Sequence, residues 1–256
     1  MEHDFLDKYA DLNSPIHKLD PRVKVVSFLI FIFSVILTPP LKFKNFLFFF
    51  ILILAFILIS KVPLRFILKR SLIIIPFVFL VAIFIPFLKQ GEIAGSYSFG
   101  TLHLSVSYGG LIVLWNVLIK SWLSVLSMIV LVSTTKFQRI LKALESLGVP
   151  KVMVMVLSFF YRYVFVLLDE MIRMKRAKDS RSFNGGRIWH IKTIGNIIGI
   201  LFIRSYERAE RVYISMVSRG FTGKMRTIDD FKINKHDILF ILPFLIILII
   251  INVLVI

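Results

Sequence analysis

Five long apolar stretches limit what this chain of 256 residues can fold into. A helix needs roughly 20 predominantly apolar residues to cross a hydrocarbon core about 30 Å thick. The stretches that meet or approach this length cover residues 23–37, 46–59, 71–88, 107–132 and 237–256. The hydrophobic share of the chain is 57%, above the ~45–50% of soluble domains. The sequence therefore predicts an all-α membrane protein with about five transmembrane helices.

Lysine and arginine are distributed unevenly between the loops, and this predicts the orientation of the chain. Cytoplasmic loops of membrane proteins carry an excess of these residues. Basic residues precede the first stretch, separate the second from the third and fill residues 133–236, whereas the other loops contain only Lys42, Lys44 and Lys89. The distribution predicts a protein of the cell (inner) membrane with its N-terminus in the cytoplasm and its C-terminus outside.

Two local patterns interrupt the apolar stretches. Pro76 and Pro86 lie within the third stretch and predict a kink there. Between the third and fourth stretches, residues 97–104 alternate between polar and apolar side chains in a segment that contains several glycines. This alternation predicts a short hairpin or an ordered loop on the outer face.

Residues 133–236 form a basic block that is too polar for transmembrane helices and too apolar for a disordered segment. The block holds 20 Lys and Arg and 8 Asp and Glu, a net charge of +12. Its pattern predicts three helices, over 136–147, from 150 to about 178, and over 188–218, with Gly148 and Pro150 between the first two. The predicted domains are residues 1–132 with the first four spans, 133–236 with the cytoplasmic helices, and 237–256 with the last span.

The two long helices of the basic block end in matching tetrapeptides. Ser180-Arg181-Ser182-Phe183 closes the first helix, and Ser218-Arg219-Gly220-Phe221 closes the second, 38 positions later. Two charged positions match at the same offset, Arg173 with Arg211 and Asp169 with Glu207. A basic residue at a helix C-terminus also complements the helix dipole, which accounts for either copy alone. Two copies with matching upstream charges favour a shared role at the cytoplasmic tips.

The second long helix also carries a pair of glycines four residues apart. Gly195 and Gly199 form a small-xxx-small pattern that would let another helix cross at short range. Two glycines that merely weaken an apolar helix are the equal alternative. The apolar first halves of both long helices favour a platform under the membrane over a soluble three-helix domain.

Several kinds of site are absent from the sequence. Gly220–Lys224 lacks the spacing of a phosphate-binding loop, because only two residues separate its glycines and Met225 follows the lysine. The chain has no cysteine, its five histidines are scattered, and no acid occurs between Asp20 and Glu92 or between Glu92 and Glu145. No cofactor, metal site or catalytic residue is therefore predicted. The mixed charge of the basic block also argues against nucleic acid as a partner.

One charged residue lies in the interior of a predicted span, away from its ends. Lys120 is expected to snorkel to the interface or to pair with a backbone dipole, and not to catalyse a reaction.

Two segments of the chain resemble the T components of energy-coupling-factor (ECF) transporters. Ser14–Lys24, with the sequence SPIHKLDPRVK, resembles the segment ahead of the first span in that family. The motifs Ser-Arg-Ser and Ser-Arg-Gly, with Arg208-Ala209-Glu210-Arg211 upstream of the second, resemble its two Ala-Arg-Gly-type motifs. The resemblance covers the whole chain and is greatest to the CbiQ branch, which is associated with cobalt uptake.

The resemblance implies partners and a mechanism. In this family the T component lies in the lipid bilayer and joins a membrane-embedded substrate-binding subunit to two ABC-type ATPase subunits. Two long coupling helices cross under the membrane, and their arginine-bearing tips sit in grooves of the ATPases. By position, Arg181 and Arg219 are those arginines, with Ser180, Ser182, Ser218 and Gly220 beside them. Ser180 and Ser182 depart from the alanine and glycine of the family pattern, and a serine at the third place can alter how the helix ends.

The residues leave the transported substrate open, because the binding subunit selects it. The predicted function is the coupling subunit of an ECF-type importer for cobalt. A T component for nickel, for a vitamin or for several substrate binders is the alternative. An intramembrane enzyme or an ATPase-independent membrane scaffold is less favoured. The first would require buried acids or a histidine cluster, which the sequence lacks, and co-purification with ATPase subunits would distinguish the second.

Overall fold

The computed structural model describes residues 9–40, 42–88, 93–99, 102–181, 186–223 and 235–254. In these residues the helices are α1 (Pro15–Lys18), α2 (Pro21–Leu37), α3 (Phe43–Ser60), α4 (Leu64–Ala82), α5 (Ile85–Leu88), α6 (Tyr108–Thr134), α7 (Phe137–Ser146), α8 (Lys151–Arg181), α9 (Arg187–Ser218) and α10 (Lys235–Leu254). The strands β1 (Ile93–Phe99) and β2 (Leu102–Ser107) pair antiparallel between α5 and α6. The chain is thus an all-α membrane protein that carries one small hairpin.

Helices α2, α3, α4, α6 and α10 occupy the five predicted spans. Within the described residues, 43–60, 64–87 and 108–134 are long and apolar enough to cross a membrane. Helix α2 has 17 residues, and the apolar part of α10 runs over Asp237–Asn252, so both are shorter. Helix α8 is also long and apolar enough to cross a membrane, because its N-terminal half carries few charges. By length and composition the described residues therefore contain four candidate spans, of which three are predicted as spans and one, α8, is predicted as a cytoplasmic helix.

The chain divides into two compact units. The transmembrane unit comprises Glu2–Ala143 and Phe231–Ile256, and the inserted unit comprises Leu144–Asp230. The transmembrane unit contains α1–α6, most of α7, and α10, whereas α8 and α9 form the bulk of the inserted unit. The chain thus leaves the transmembrane unit once, within α7, and returns once, before α10.

The core of the transmembrane unit lies where α6 packs against α2, α3, α4 and α5. The buried rings of Phe31 and Phe49 meet edge to face with centroids 5.6 Å apart, a geometry that adds about 0.5–1.5 kcal/mol to the burial of the rings. Gly110 allows α5 to approach α6, because a Cβ at this position would lie 2.5 Å from the Cα of Pro86. A larger residue at position 110 would therefore separate these two helices.

The predicted interruption of the third apolar stretch occurs at its second proline. Helix α4 ends at Ala82 and α5 begins at Ile85, because Pro86 has no N–H to donate to a carbonyl one turn earlier. Pro76 lies inside α4. The predicted hairpin follows and is confirmed, with Ile93 paired to Ser107 and Phe99 paired to Leu102.

The three helices predicted for the basic block are confirmed within a few residues at each end. Helix α7 stops where the sequence predicts, since the N–H of Gly148 donates to the Glu145 carbonyl and the N–H of Val149 donates to the Leu144 carbonyl. These two hydrogen bonds satisfy carbonyls that the end of a helix leaves without partners. Helices α8 and α9 then run for 31 and 32 residues.

Candidate functional site

Helix α8 ends at the first Ser-Arg motif. Arg181 is the last helical residue, and the hydroxyl of Ser180 donates to the carbonyl of Arg176 at 2.9 Å. The side chains of Ser180 and Arg181 are exposed. Lys178 and Arg181 place positive charge in the last turn, where the helix dipole favours it. The third residue of the motif, Ser182, lies outside the described residues.

Helix α9 ends at the second motif in a left-handed turn. Gly220 has φ of +79°, a conformation that favours glycine. Its N–H donates to the Val217 carbonyl at 2.9 Å, and the N–H of Phe221 donates to the Met216 carbonyl at 3.0 Å. These are the two bonds of the Schellman motif. Arg219, the residue before the glycine, is thus fixed as the cap of α9, and its side chain is exposed.

The serines of the two motifs make the same hydrogen bond. The hydroxyl of Ser218 donates to the carbonyl of Ile214 at 2.9 Å, one turn earlier in α9, as that of Ser180 does in α8. The arginine follows directly in each helix, and neither Arg181 nor Arg219 forms an ion pair with a described residue. The structure therefore presents two exposed guanidinium groups at the ends of two long helices.

Glu170 links the two long helices. Its Oε2 accepts a hydrogen bond from Nη2 of Arg173 at 2.7 Å, and its Oε1 accepts one from Nη1 of Arg204 in α9. The Glu170 side chain is 13% exposed, although both arginines are largely exposed. One carboxylate thus sets the register of α8 against α9, about three turns before the end of α8. The sequence alone gives no signal for this residue beyond its spacing to Arg173.

The glycine pair of α9 faces open space in this chain. A Cβ built at Gly195 or Gly199 would meet no atom within 4 Å. No described helix of this chain crosses α9 there, so the predicted crossing remains a prediction about a partner chain.

The inserted unit exposes many large apolar side chains. Val154 is the buried residue of α8. The exposed apolar residues include Val152, Met153, Val156, Leu157 and Phe160 on α8 and Ile188, Ile191, Ile194, Ile198 and Phe202 on α9. On each helix these residues recur three or four positions apart, so they lie on one side of that helix. Exposed apolar surfaces mark interaction sites with proteins or membranes. We refer to these ten residues as the apolar face.

The described residues hold no cluster of metal ligands, and the cavity beside α6 is apolar. They contain no group of three or more His, Cys, Asp or Glu that could hold a metal ion. A cavity of about 470 Å³ between α3, α4 and α6 is lined by apolar side chains, apart from the hydroxyls of Ser71 and Ser121. The indole N–H of Trp122 donates to the Ser71 hydroxyl at 3.4 Å. This cavity is suited to an apolar group and not to an ion.

The fold and the site define a class: a multi-pass membrane protein with two exposed arginine tips on an inserted helical unit. Comparison with known proteins identifies the family, because the family model of the CbiQ cobalt transport proteins matches residues 12–228. The chain belongs to this family, and is therefore a T component of ECF transporters in the CbiQ branch. The family resemblance predicted from the sequence is confirmed.

Relatives match over most of the chain. An uncharacterised protein of Methanocaldococcus jannaschii is 32% identical over 94% of this chain and 83% of its own length. An energy-coupling factor transporter transmembrane protein, EcfT, of Clostridium kluyveri is 28% identical over 91% of this chain and 89% of its own length. A putative fused cobalt transport protein, CbiMQ, of Methanocorpusculum labreanum is 28% identical over 88% of this chain and 37% of its own length.

Proposed function

We propose that this chain is the coupling subunit of an ECF-type importer. It transmits the motion of two ABC-type ATPase subunits to a membrane-embedded substrate-binding subunit during cobalt uptake. In functional terms, residues 133–236 are the coupling region, and residues 1–132 and 237–256 hold it in the membrane. The observation that carries this proposal is the pair of exposed arginine tips on α8 and α9.

The arginine tips suit a docking role. A guanidinium group is a planar fork of donors that pairs with a carboxylate through two parallel hydrogen bonds. Arg219 follows a serine bonded to its own helix and precedes a glycine whose turn fixes where the helix ends. The cation is therefore held at a defined place while its side chain remains free to enter a groove of another protein. The two tips would provide one docking site for each of the two ATPase subunits.

The apolar face suits a membrane-embedded partner. Its residues lie on the same helices as the tips, so a displacement of a tip along a helix axis also displaces the face. The fused relative supports such a partner, since the part that matches this chain is only 37% of a longer cobalt transport protein. Under this proposal the partner, and not this chain, binds the substrate.

Cobalt is the substrate favoured by the family, which is described as cobalt transport proteins. A second candidate is a T component for nickel, for a vitamin or for several substrate binders. The relatives named only as ECF transporter transmembrane proteins favour it, because they match over comparable lengths and their names specify no substrate.

Co-expression with ATPase and binding subunits tests the proposal. The chain expressed with two ABC-type ATPases and a metal-binding membrane subunit should co-purify with them as one complex that hydrolyses ATP in the presence of magnesium. The chain purified alone should hydrolyse none. Failure of the chain to retain any ATPase subunit would contradict the coupling function. Exchanging the metal-binding subunit for a vitamin-binding one, with uptake of each substrate measured, distinguishes a dedicated cobalt component from a shared one.

A further inference from the structure

The N-terminal segment Ser14–Lys24, which the proposed function leaves without a role, is hydrogen-bonded to several parts of the transmembrane unit. The hydroxyl of Ser14 caps α1, and Nδ1 of His17 lies 2.7 Å from this hydroxyl. Nε2 of His17 lies 2.9 Å from the carbonyl of Tyr9 and donates to it, because a carbonyl can only accept. Burial lowers the pKa of the His17 imidazole. A neutral ring that donates from Nε2 and accepts at Nδ1 satisfies both contacts.

Lys24 connects this segment to the point where the chain leaves α6. Its side chain is 2% exposed. Its ammonium group donates to the carbonyls of His17 and Thr134 and to the hydroxyl of Thr135, each at 3.2 Å. An ammonium group has three N–H donors, so these three acceptors satisfy it fully. Burying a charge is costly unless it is bonded in this way. Thr134 is the last residue of α6 and Thr135 is its cap.

Asp20 connects the same segment to the point where the chain returns. Its N–H donates to Oδ1 of Asp237 at 2.8 Å, and both residues are buried. Asp237 lies in the first turn of α10. Its own carboxylate, rather than a backbone group, receives the bond, so the contact depends on the residue type at position 237.

The chain passes into the inserted unit within α7, at Leu144, and returns to the transmembrane unit at Phe231. Thr135 and Asp237 lie on the transmembrane side of these two connections, nine residues before Leu144 and six residues after Phe231. They are about 100 residues apart in sequence, yet one segment of 11 residues contacts both. A weaker contact adds to the first, since Nζ of Lys136 lies 2.6 Å from the Asp11 carboxylate, but both side chains are largely exposed. The strong contacts are therefore those of Lys24 and Asp237.

We propose that Lys24 and Asp237 are positioning residues that hold both connections of the inserted unit against the N-terminal segment, so that movement of α8 and α9 reaches α6 and α10. A connection held at its base passes a displacement to the helix that it joins. A loose connection absorbs the displacement, and ATP is then hydrolysed without transport. This inference rests on the proposed coupling function.

Three substitutions separate this role from ordinary stabilisation. Lys24→Met keeps the length of the side chain and removes its donors. Asp237→Ala removes the acceptor, whereas Asp237→Asn keeps an oxygen that can accept from the N–H of Asp20. The matched control is Lys120→Met, because Lys120 also donates to helix-end carbonyls, those of Ile36 and Thr38. It lies 14 residues before Thr134, about four turns along α6.

The first measurement does not depend on the ATPases. The chain contains no cysteine, so Ser133→Cys gives a single thiol at a position that is 3% exposed and one residue before Thr134. In purified full-length protein, a maleimide should label this thiol slowly in the otherwise native chain. Labelling should be about tenfold faster in Lys24→Met, a factor that corresponds to about 1.4 kcal/mol. It should be unchanged in Lys120→Met.

The second measurement is the cobalt taken up per ATP hydrolysed by the assembled complex. This ratio should fall about tenfold or more in Lys24→Met and Asp237→Ala, and should be close to the native value in Asp237→Asn and Lys120→Met. A lower yield of complex with an unchanged ratio would overturn the inference, because it is the result of a purely stabilising role. If Lys24→Met fails to insert in the membrane, the Asp237 variants test the inference. The uptake ratio should then be lower in Asp237→Ala than in Asp237→Asn, and equal ratios would overturn the inference.

The two proposals fail differently. If the native chain retains no ATPase subunit, the coupling function is wrong, and with it the role of Lys24 and Asp237 in coupling. If the native complex forms and transports, but the thiol at position 133 and the uptake ratio are both unaffected by Lys24→Met and Asp237→Ala, only the positioning role is wrong.

Discussion

Lys24 and Lys120 each bind the C-terminal end of the helix that carries the other. Lys24 in α2 donates to the carbonyl of Thr134 at the end of α6. Lys120 in α6 donates to the carbonyls of Ile36 and Thr38 at the end of α2, at 2.9 and 2.6 Å. The last carbonyls of a helix lack partners and carry partial negative charge, so a cation is the donor that suits them best. This reciprocal arrangement fixes α2 and α6 as an antiparallel pair.

Replacing Lys120 should weaken the transmembrane unit. Lys120→Met removes a charged donor from two carbonyls in an apolar environment, and hydrogen bonds to charged groups contribute about 1.5–3 kcal/mol. We expect a loss of this order in the free energy of unfolding, measured by denaturant titration in detergent. Lys44→Met is the control, since Lys44 is exposed near the start of α3 and should change stability by less than about 0.5 kcal/mol. Equal stability of the two variants would contradict the capping role of Lys120.

The sequence predicts those features of the fold that depend on local patterns. Apolar stretches of sufficient length give α3 and α6 within a few residues, and the glycine after α7 marks where that helix ends. The third predicted span begins at residue 71, whereas α4 begins at Leu64, because Arg65, Lys69 and Arg70 reduce the apolar character of its first turns. These residues nevertheless lie in the helix, since charged side chains at a membrane interface do not prevent helix formation.

Contacts between distant residues have no comparable signal in the sequence. The prediction that Lys120 pairs with a backbone dipole is confirmed, but the end of α2 as its partner follows only from the fold. The same holds for Glu170, whose bond to Arg204 joins residues 34 positions apart. The sequence placed Arg181 and Arg219 at helix ends because the motifs themselves are repeated, and the structure places both there.

The glycine of the second motif should be more sensitive to substitution than the glycines within α9. Gly220→Ala forces a Cβ into a left-handed conformation at a cost of about 1–2 kcal/mol. No atom lies near the added Cβ, so the cost arises from the backbone alone. Gly195→Ala is the comparison variant. Gly195 lies inside α9, and a Cβ there would meet no atom within 4 Å, so alanine should stabilise the helix by about 0.5–1 kcal/mol.

Thermal unfolding of the purified full chain measures both glycine variants. Opposite signs of the change in stability are expected, and a stabilising Gly220→Ala would contradict the left-handed cap. If Gly195 and Gly199 lie at a crossing with a partner helix, Gly195→Leu should leave the isolated chain folded and weaken its association with the membrane-embedded subunit.

The orientation in the membrane is testable with reporters. The excess of Lys and Arg in the basic block predicts that this region faces the cytoplasm, while the C-terminus lies outside. A reporter that is active only in the cytoplasm should be active when inserted after Gly186 and inactive when fused to the C-terminus. A reporter that requires the outer compartment should give the reverse. Cytoplasmic activity at both positions would mean that α10 does not cross the membrane.

The arginine tips should be needed for assembly with the ATPases. In a groove of a partner, a guanidinium group loses part of its water and pairs with an acceptor, and losing one member of such a buried pair costs about 2–5 kcal/mol. An exposed ion pair contributes only about 0–1 kcal/mol. Arg219→Glu and Arg181→Glu should therefore each weaken co-purification with the ATPases markedly or uncouple transport, and the double variant should abolish uptake while still inserting in the membrane. Arg219→Lys should retain part of the binding, because lysine keeps the charge but not the fork.

Arg162→Glu is the control for charge reversal on the same helices. Arg162 is exposed on α8, 19 positions before Arg181, and its guanidinium lies 6.0 Å from the ring of Tyr163. If the loss of positive surface charge in general caused the loss of assembly, Arg162→Glu would have an effect as large as that of Arg219→Glu. If docking of the tips causes it, the control should bind ATPase subunits nearly as well as the native chain. Normal assembly and normal uptake in both tip variants would make the two Ser-Arg motifs ordinary helix ends, and the coupling function would lose its principal support.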